Sequence, residues 1–326
     1  MRSRGPLLAL GVAAVSFGSA STGTKYALGG FEPVALLAFE LVLATAMLWI
    51  LVAWRGFRQP RSLARVAALG LFEPALAYLG QTAGLSRTSA TNGALIMGLE
   101  CVFVVLLAAL LLREPISWAV AVAIALAVVG LVVLESGDTL VGPGVGDALV
   151  LLGSLCAAAY TIVARGLEPD DDPLSVTALQ FTMATAIVLP VALLAWTSGA
   201  ESVPTQVQPR FVLAAALVGI MGFAGSFVLY NYAIATVEAA PAAVIINLIP
   251  AVGLGTAVTL LGEPLTMYAV VGALLICASV AIFGTLEALV SLGPDARAAG
   301  PHVTHPGGRI GARLGGNASH QVFQGW

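Results

Sequence analysis

The chain contains ten apolar stretches, and the last five repeat the first five in order. A membrane-spanning helix needs roughly 20 mostly apolar residues. Because five crossings is an odd number, the second copy would enter the bilayer from the opposite side and lie inverted relative to the first. The sequence therefore predicts an all-α polytopic membrane protein with ten transmembrane helices in two inverted five-helix repeats. The predicted helices are 6–27, 33–54, 66–84, 89–112, 116–135, 145–165, 174–196, 211–235, 239–261 and 265–288.

The composition of the chain also favours a membrane protein. Hydrophobic residues make up 59% of the chain, charged residues make up 10%, and the mean hydropathy is +0.98. A water-soluble domain could not bury so much apolar surface. From Ser291 onward the sequence loses its apolar periodicity and becomes rich in small and polar residues, which is typical of disorder. We therefore divide the chain into a first repeat, 1–138, a second repeat, 139–290, and a disordered cytoplasmic tail, 291–326.

The internal repeat can be followed at two constant offsets. At an offset of 140 residues, 43–47 (Leu-Ala-Thr-Ala-Met) meets 183–187 (Met-Ala-Thr-Ala-Ile). At an offset of 149 residues, 113–117 (Arg-Glu-Pro-Ile-Ser) meets 262–266 (Gly-Glu-Pro-Leu-Thr). The additional residues fall in the longer loop after the seventh helix. Because shared hydrophobicity does not explain matches at constant offsets, we infer an internal duplication.

Each repeat carries a short loop motif near its end. A Glu-Pro pair begins at Glu114 in the first copy and at Glu263 in the second, where Pro250 lies near the middle of the preceding helix. Together with ten crossings, these motifs resemble the EamA repeat of the drug/metabolite transporter superfamily over both halves. The resemblance implies two inverted five-helix bundles around a central cavity, and the export or exchange of small metabolites. The chain departs from the family pattern at Cys101, where proline is usual, and at Glu40, where many relatives have a basic residue.

The distribution of basic residues predicts the orientation of the helices. Short loops on the cytoplasmic side of a membrane carry an excess of lysine and arginine. With the N-terminus inside, eleven basic residues fall on the cytoplasmic side and only Lys25, Arg87 and Arg210 on the other. We therefore predict a multi-pass protein of the inner or plasma membrane with both termini in the cytoplasm. Arg2 and Arg4 also fit a signal peptide, but the apolar stretch after them has a counterpart in the second half, which favours a retained helix.

Three acidic residues lie within the predicted helices: Glu40, Glu73 and Glu100. An ionisable group at membrane depth costs roughly 2.5–3.5 kcal/mol on insertion scales, so such groups are candidates for function. Their counterparts in the second half are uncharged: Gln180, Gly222 and Ile249. A carboxyl group removed from water is able to take up and release a proton near neutrality. Because these acidic residues occur in the first half only, the pattern favours proton coupling, or equally a cationic or amine-bearing substrate.

Seven residues make up the predicted substrate-binding or coupling site. Glu73 and Glu100 form its polar core, and Glu40 is a secondary candidate for proton coupling. Asn92 and Glu100 are eight residues apart and would share one helix face. We predict that four uncharged residues orient the substrate: Gln81, Asn92, Tyr230 and Asn247.

The acidic residues also have structural interpretations. Glu40 could pair with Lys25 across the first helix hairpin. Glu73 and Glu100 could remain protonated and only form hydrogen bonds between helices. For Glu263 we expect a role in capping a helix end rather than in contacting the substrate.

We predict a secondary active transporter, most simply an exporter of a small metabolite or drug, that works by alternating access. Its partners would be the small-molecule substrate, protons and membrane lipid but no nucleic acid, and it would act as a monomer or homodimer. The acidic run Asp170–Asp172 leaves open a membrane-embedded lipid-group transferase, and a passive channel is a third interpretation. All three histidines lie in the tail, so we predict no metal, no cofactor and no enzyme activity.

Overall fold

The computed structural model describes residues 4–113, 118–136, 144–164, 171–234, 245 and 248–291. Every element within these ranges is helical, which confirms the all-α prediction for this part of the chain. Asn247, Glu114, Asp170 and the predicted tail beyond Ser291 lie outside the described residues. In chain order the elements are α1 (Arg4–Ala27), α2 (Pro33–Arg55), α3 (Leu63–Gly70), a first π-helix (Leu71–Leu76), α4 (Ala77–Leu85), α5 (Ala90–Met97), α6 (Glu100–Leu111), α7 (Trp118–Ser136), α8 (Val145–Ala164), α9 (Pro173–Thr197), α10 (Pro209–Leu217), a second π-helix (Val218–Gly225), α11 (Ser226–Ile234), α12 (Ile249–Leu261) and α13 (Met267–Ser291).

Seven helical segments in the described ranges are long and apolar enough to cross a membrane. They are Gly5–Ala27, Pro33–Arg55, Leu63–Leu85, Ala90–Leu111, Val145–Ala164, Pro173–Thr197 and Pro209–Tyr230. Three further helices are also apolar but shorter: Ala121–Val133, Ile249–Leu261 and Met267–Ser279. Each of these ten segments coincides with a predicted crossing. Within the described residues, the first seven are long enough to cross a membrane.

The third predicted helix, 66–84, is not continuous in the structure. Glu73 has φ −145° and ψ 125°, which is extended rather than helical, and Pro74 follows it directly. Proline has no N–H group to donate, and it disfavours the α conformation for the residue before it. The first π-helix surrounds this break and joins α3 to α4. At this break, backbone groups of Glu73 are free to form hydrogen bonds outside the helix, whereas an unbroken helix would have paired them internally.

The fourth predicted helix, 89–112, is also divided. It ends as α5 at Met97 and begins again as α6 at Glu100, with Gly98 and Leu99 between them. Gly98 packs closely on α12, since a Cβ atom added there would lie 2.9 Å from Cγ of Pro250. The turn at Gly98 and Leu99 lies between Asn92 and Glu100, so their common helix face stays a prediction.

Glycines allow α4 and α8 to pack with their backbones in close contact. A Cβ atom added at Gly153 would lie 2.6 Å from the carbonyl oxygen of Ala77, and one added at Gly80 would lie 2.9 Å from that of Leu149. Small residues are typical of such close helix contacts in membranes. The contact brings Gln81 on α4 beside α8, since Gly153 also lies against Gln81.

Hydrophobic side chains form two main clusters in the core. The larger cluster joins α2, α4, α8, α9 and the second π-helix, and includes Phe181 and Phe223. The other joins α5 and α6 to α7 and α13. Between α7 and α13, the hydroxyl of Ser279 donates a hydrogen bond of 2.7 Å to the carbonyl oxygen of Ala123. The two clusters leave a space between them into which polar side chains project.

Two glutamates from distant loops cap helix N-termini. Both carboxylate oxygens of Glu201 accept hydrogen bonds, of 2.9 and 3.0 Å, from N–H groups in the first turn of α2. Both oxygens of Glu263 accept hydrogen bonds, of 2.7 and 2.8 Å, from the N–H groups of Ala90 and Thr91 in α5. The first N–H groups of a helix have no partner within it, and negative charge is favourable there. The predicted capping role of Glu263 is confirmed.

Candidate functional site

A cavity of about 260 Å³ lies between helices of both predicted halves. The first half contributes residues of α1, the first π-helix, α4, α5 and α6, and the second half contributes residues of α8, the second π-helix, α11 and α12. Its walls are mostly apolar, with a few polar groups that point inward. Cavities of roughly 300–1,000 Å³ hold drug-sized molecules, so this one suits a smaller ligand.

Four of the predicted site residues line this cavity: Glu73, Glu100, Gln81 and Tyr230. Glu40 and Asn92 are buried but are not part of its lining. Asn92 lies in the first turn of α5, where its N–H group donates to the hydroxyl of Ser89. Asn247 lies outside the described residues. The roles assigned to these residues remain predictions.

Glu73 and Glu100 occupy the two helix breaks, and both line the cavity. Glu73 comes from the extended residue before Pro74, and Glu100 is the first residue of α6. Two carboxyl groups in an apolar surrounding do not both ionise readily, because like charges repel and burial disfavours charge. The pair therefore suits a ligand that brings positive charge, either a proton or a cation.

Gln180 forms a hydrogen bond to the backbone at the helix break that contains Glu73. Its side chain is 1% exposed, and its Nε2 donates a hydrogen bond of 2.8 Å to the carbonyl oxygen of Glu73. The same side chain lies next to the hydroxyl of Tyr160, which lines the cavity. Sequence analysis treated Gln180 only as the counterpart of Glu40. The signal that could have identified it was a buried amide in a helix that faces a proline break.

We expect Gln180→Leu to destabilise the protein. The substitution leaves the carbonyl oxygen of Glu73 buried without a partner, which costs roughly 1–3 kcal/mol. Thermal unfolding in detergent measures this loss as a lower midpoint. Gln208→Leu is the matched control, because Gln208 is exposed and makes no side-chain cap bond at the start of α10. Equal midpoints for both variants and the wild type would contradict the assignment.

Glu40 is completely buried and has no counter-ion among the described residues. It is 0% exposed, and neither of its carboxyl oxygens has a hydrogen-bond partner there. The proposed pair with Lys25 is wrong, since Nζ of Lys25 donates instead to the carbonyl oxygens of Leu85 and Thr88, at 2.7 and 2.5 Å. The nearest polar neighbour of the Glu40 carboxyl is Thr24, which does line the cavity. Glu40 thus lies behind the cavity wall.

Aromatic side chains form much of the cavity wall. The ring of Phe17 packs edge-on against Phe227, with centroids 5.4 Å apart, and against Tyr230, at 6.4 Å. Tyr78 and Phe223 lie against each other at 4.4 Å on another part of the lining. Sequence analysis missed Phe17, Tyr78, Phe223 and Phe227, because aromatic residues are common in apolar helices and carry no pattern that separates cavity from core.

Comparison with known proteins identifies the family. Residues 4–135 and 144–285 each match the EamA-like transporter family. The uncharacterized transporter YyaM of Bacillus subtilis (strain 168) is 28% identical over 281 residues, which cover 81% of this chain and 87% of that protein. An uncharacterized transporter of Archaeoglobus fulgidus is 24% identical, over 81% of this chain and 93% of that protein. A probable terminal-alkyne amino-acid exporter of Streptantibioticus cattleyicolor is 26% identical, over 81% and 88%.

The fold has a solved counterpart as well. One crystal structure superposes with a TM-score of 0.61 at 17% identity, and the match covers 87% of this chain and 98% of the other. The apolar helices and the relatives together make this chain a multi-pass membrane protein related to transporters rather than to enzymes. Since the two family matches take in most of its length, the chain belongs to the EamA-like transporter family.

Proposed function

We propose that this protein is a secondary active transporter that exports a small metabolite or drug by alternating access. The observation that carries the proposal is the cavity, which both halves line and into which the carboxyl groups of Glu73 and Glu100 project. Substrate sites of secondary transporters lie near the bilayer midplane, between repeats, where helices are broken. The two breaks at this cavity fit that description. The relative from Streptantibioticus cattleyicolor, a probable amino-acid exporter, supports the outward direction.

We further propose ten crossings in two inverted repeats, with boundaries near 138 and 290. Two consecutive family matches support the duplication. Contacts between the halves also occur in related pairs: a Cβ atom at Gly70 would lie 2.5 Å from the carbonyl oxygen of Gln180, and one at Gly219 would lie 2.6 Å from that of Glu40. Gly219 and Gln180 are the sequence counterparts of Gly70 and Glu40. The hydroxyls of equivalent residues Thr45 and Thr185 meet at 2.8 Å, as expected near a pseudo-twofold axis.

We further propose that both termini are cytoplasmic, and the loop contacts agree with the alternation of faces in that topology. The loop after α2 contacts the start of α9, where the N–H group of Arg58 donates to the hydroxyl of Ser175 at 3.0 Å. Both segments are cytoplasmic in the predicted orientation. On the opposite face, Glu201 caps α2 and Glu263 caps α5. Each contact joins segments that the predicted topology places on the same side.

The proposed mechanism couples transport to charge in the cavity. One five-helix half rocks against the other, so that Glu73 and Glu100 face each side of the membrane in turn. A cargo or a proton neutralises the pair during the passage, because two bare carboxylates are costly in an apolar site. Glu40, which has no counter-ion among the described residues, is the second candidate for carrying the coupling proton.

The transferase interpretation depended on the acidic run Asp170–Asp172, and two of these residues have structural roles. Asp172 caps α9 by accepting the N–H group of Ser175 at 2.9 Å. Asp171 accepts the N–H group of Arg61 at 3.0 Å. These carboxylates of the acidic run therefore have structural partners, and the relatives are transporters.

Labelling from both sides of the membrane tests alternating access. Cys101 lines the cavity and provides a natural reporter once Cys156 and Cys277 are replaced by serine. In vesicles of known orientation, a membrane-impermeant thiol reagent is expected to reach Cys101 from the cytoplasmic side under one condition of pH and from the external side under another. Single cysteines at Ser62 and Ser202 serve as controls for the two faces. Labelling of Cys101 from one side under every condition would refute the proposal.

A further inference from the structure

We propose that the substrate is a small organic cation, an amine with an apolar or aromatic body. Its ammonium group would lie between Glu73 and Glu100, and its body would lie against the aromatic wall of the cavity. This inference rests on the proposed transport function and adds the chemical class of the substrate.

The charges around the cavity support a cation. Glu73 and Glu100 both line it, and no lysine, arginine or histidine does so among the described residues. Lys25 lies in the last turn of α1, and the described arginines lie in loops or near helix ends. Its ammonium group is held by the carbonyl oxygens of Leu85 and Thr88. The undescribed stretch 235–244 contains no basic residue either. Among the described residues, the acidic pair therefore has no cation close by to neutralise it.

The same charge distribution disfavours anions and zwitterions. A carboxylate on the ligand would enter a site that already holds two carboxyl groups. Like charges in an apolar surrounding repel strongly, since such a surrounding screens them less than bulk water does. A single positive charge, by contrast, would form charge-assisted hydrogen bonds with one or both glutamates.

The aromatic wall suits the remainder of such a molecule. Phe17, Phe227 and Tyr230 form one continuous group of rings, and Tyr78 with Phe223 forms another. Aromatic faces attract cations held within about 6 Å of the ring centroid, and they also pack well against other rings. A cavity of about 260 Å³ has room for one ring and a short amine-bearing chain, but not for a large drug.

A series of four ligands that share a phenyl ring tests the substrate class. They are 2-phenylethylamine (cation), phenylalanine (zwitterion), 2-phenylethanol (neutral) and 3-phenylpropanoate (anion). Binding to the detergent-purified full chain is measured by isothermal titration and by the ligand-induced rise in the unfolding midpoint, which follows from mass action. We expect the amine to bind at least about tenfold more tightly than each of the others, because it alone pairs with the glutamates without adding negative charge.

Two variants localise the effect. Glu100→Gln is expected to reduce the preference for 2-phenylethylamine over 2-phenylethanol at least about fivefold. Glu32→Gln is the matched control, because Glu32 is exposed at the start of α2 and makes no side-chain cap bond. The control should bind the amine as the wild type does. Equal or tighter binding of the neutral, zwitterionic or anionic ligand by the wild type would overturn the proposal, and so would the absence of binding by all four.

The outcome is separable from that of the transport proposal. Two-sided labelling of Cys101 depends on the motion of the halves and not on which ligand binds. If Cys101 is reached from both sides while the amine shows no preference, the substrate class is wrong and the transporter proposal stands. If Cys101 is reached from one side only, the transporter proposal fails whatever the ligand series shows.

Discussion

Replacing both Glu73 and Glu100 with glutamine is expected to abolish transport at every pH. Glutamine is nearly isosteric with glutamic acid, but its side chain does not gain or lose a proton near neutral pH. Each single variant, E73Q or E100Q, should reduce transport of a cationic substrate by about 100-fold, since truncating one member of a buried charged contact typically costs about 2–5 kcal/mol. Uptake into proteoliposomes, followed at several pH values, measures both effects.

Glu40→Gln is the natural comparison for these variants. Glutamine is the residue at the equivalent position of the second half, Gln180, so the substitution fits the scaffold's own pattern. Because Glu40 lies behind the cavity wall, E40Q should bind substrate normally. A loss of pH dependence in E40Q would assign coupling to Glu40. Variants E73Q and E100Q that insert normally and transport at the wild-type rate at every pH would remove the carboxyl pair from the mechanism.

Introducing leucine at Gly153 is expected to separate α4 from α8 and to destabilise the protein severely. Even a Cβ atom there would lie 2.6 Å from the carbonyl oxygen of Ala77 and 2.9 Å from Cγ of Gln81. Overpacking typically costs about 1–3 kcal/mol, and a backbone in contact cannot move aside as a flexible side chain can. We expect a clearly lower unfolding midpoint, or loss of the monodisperse peak in detergent chromatography.

Gly255→Leu is the matched control for that substitution. Gly255 also lies in a helix, α12, but it is exposed and has no atom within 4 Å of an added Cβ. Both changes exchange glycine for the same good helix former, so propensity contributes equally. Only the Gly153 variant should lose stability. If both variants unfolded at the wild-type temperature, the close α4–α8 contact would not occur in the protein.

The sequence by itself determined the helical, membrane-spanning character of the chain, its duplication and its acidic residues at membrane depth. Apolar length is enough for this, because a bilayer requires each crossing to satisfy its own backbone hydrogen bonds within a helix. The Glu-Pro motifs located the loops, and the capping role expected of Glu263 was correct. Glu73 and Glu100 stood out because charge is rare in such segments.

Only the tertiary structure decided which of these groups meet. The break at Glu73 and Pro74 lies where Glu73 lines the cavity together with Glu100, and Gln180, from the other half, donates a hydrogen bond to the carbonyl oxygen of Glu73. The structure also keeps Asn92 out of the cavity lining and leaves Glu40 without the lysine partner that its position suggested. These outcomes depend on contacts between residues 60 to 107 positions apart and on bends within helices. Helical periodicity describes one unbroken helix at a time, so it carries no information about long-range contacts or about bends within helices.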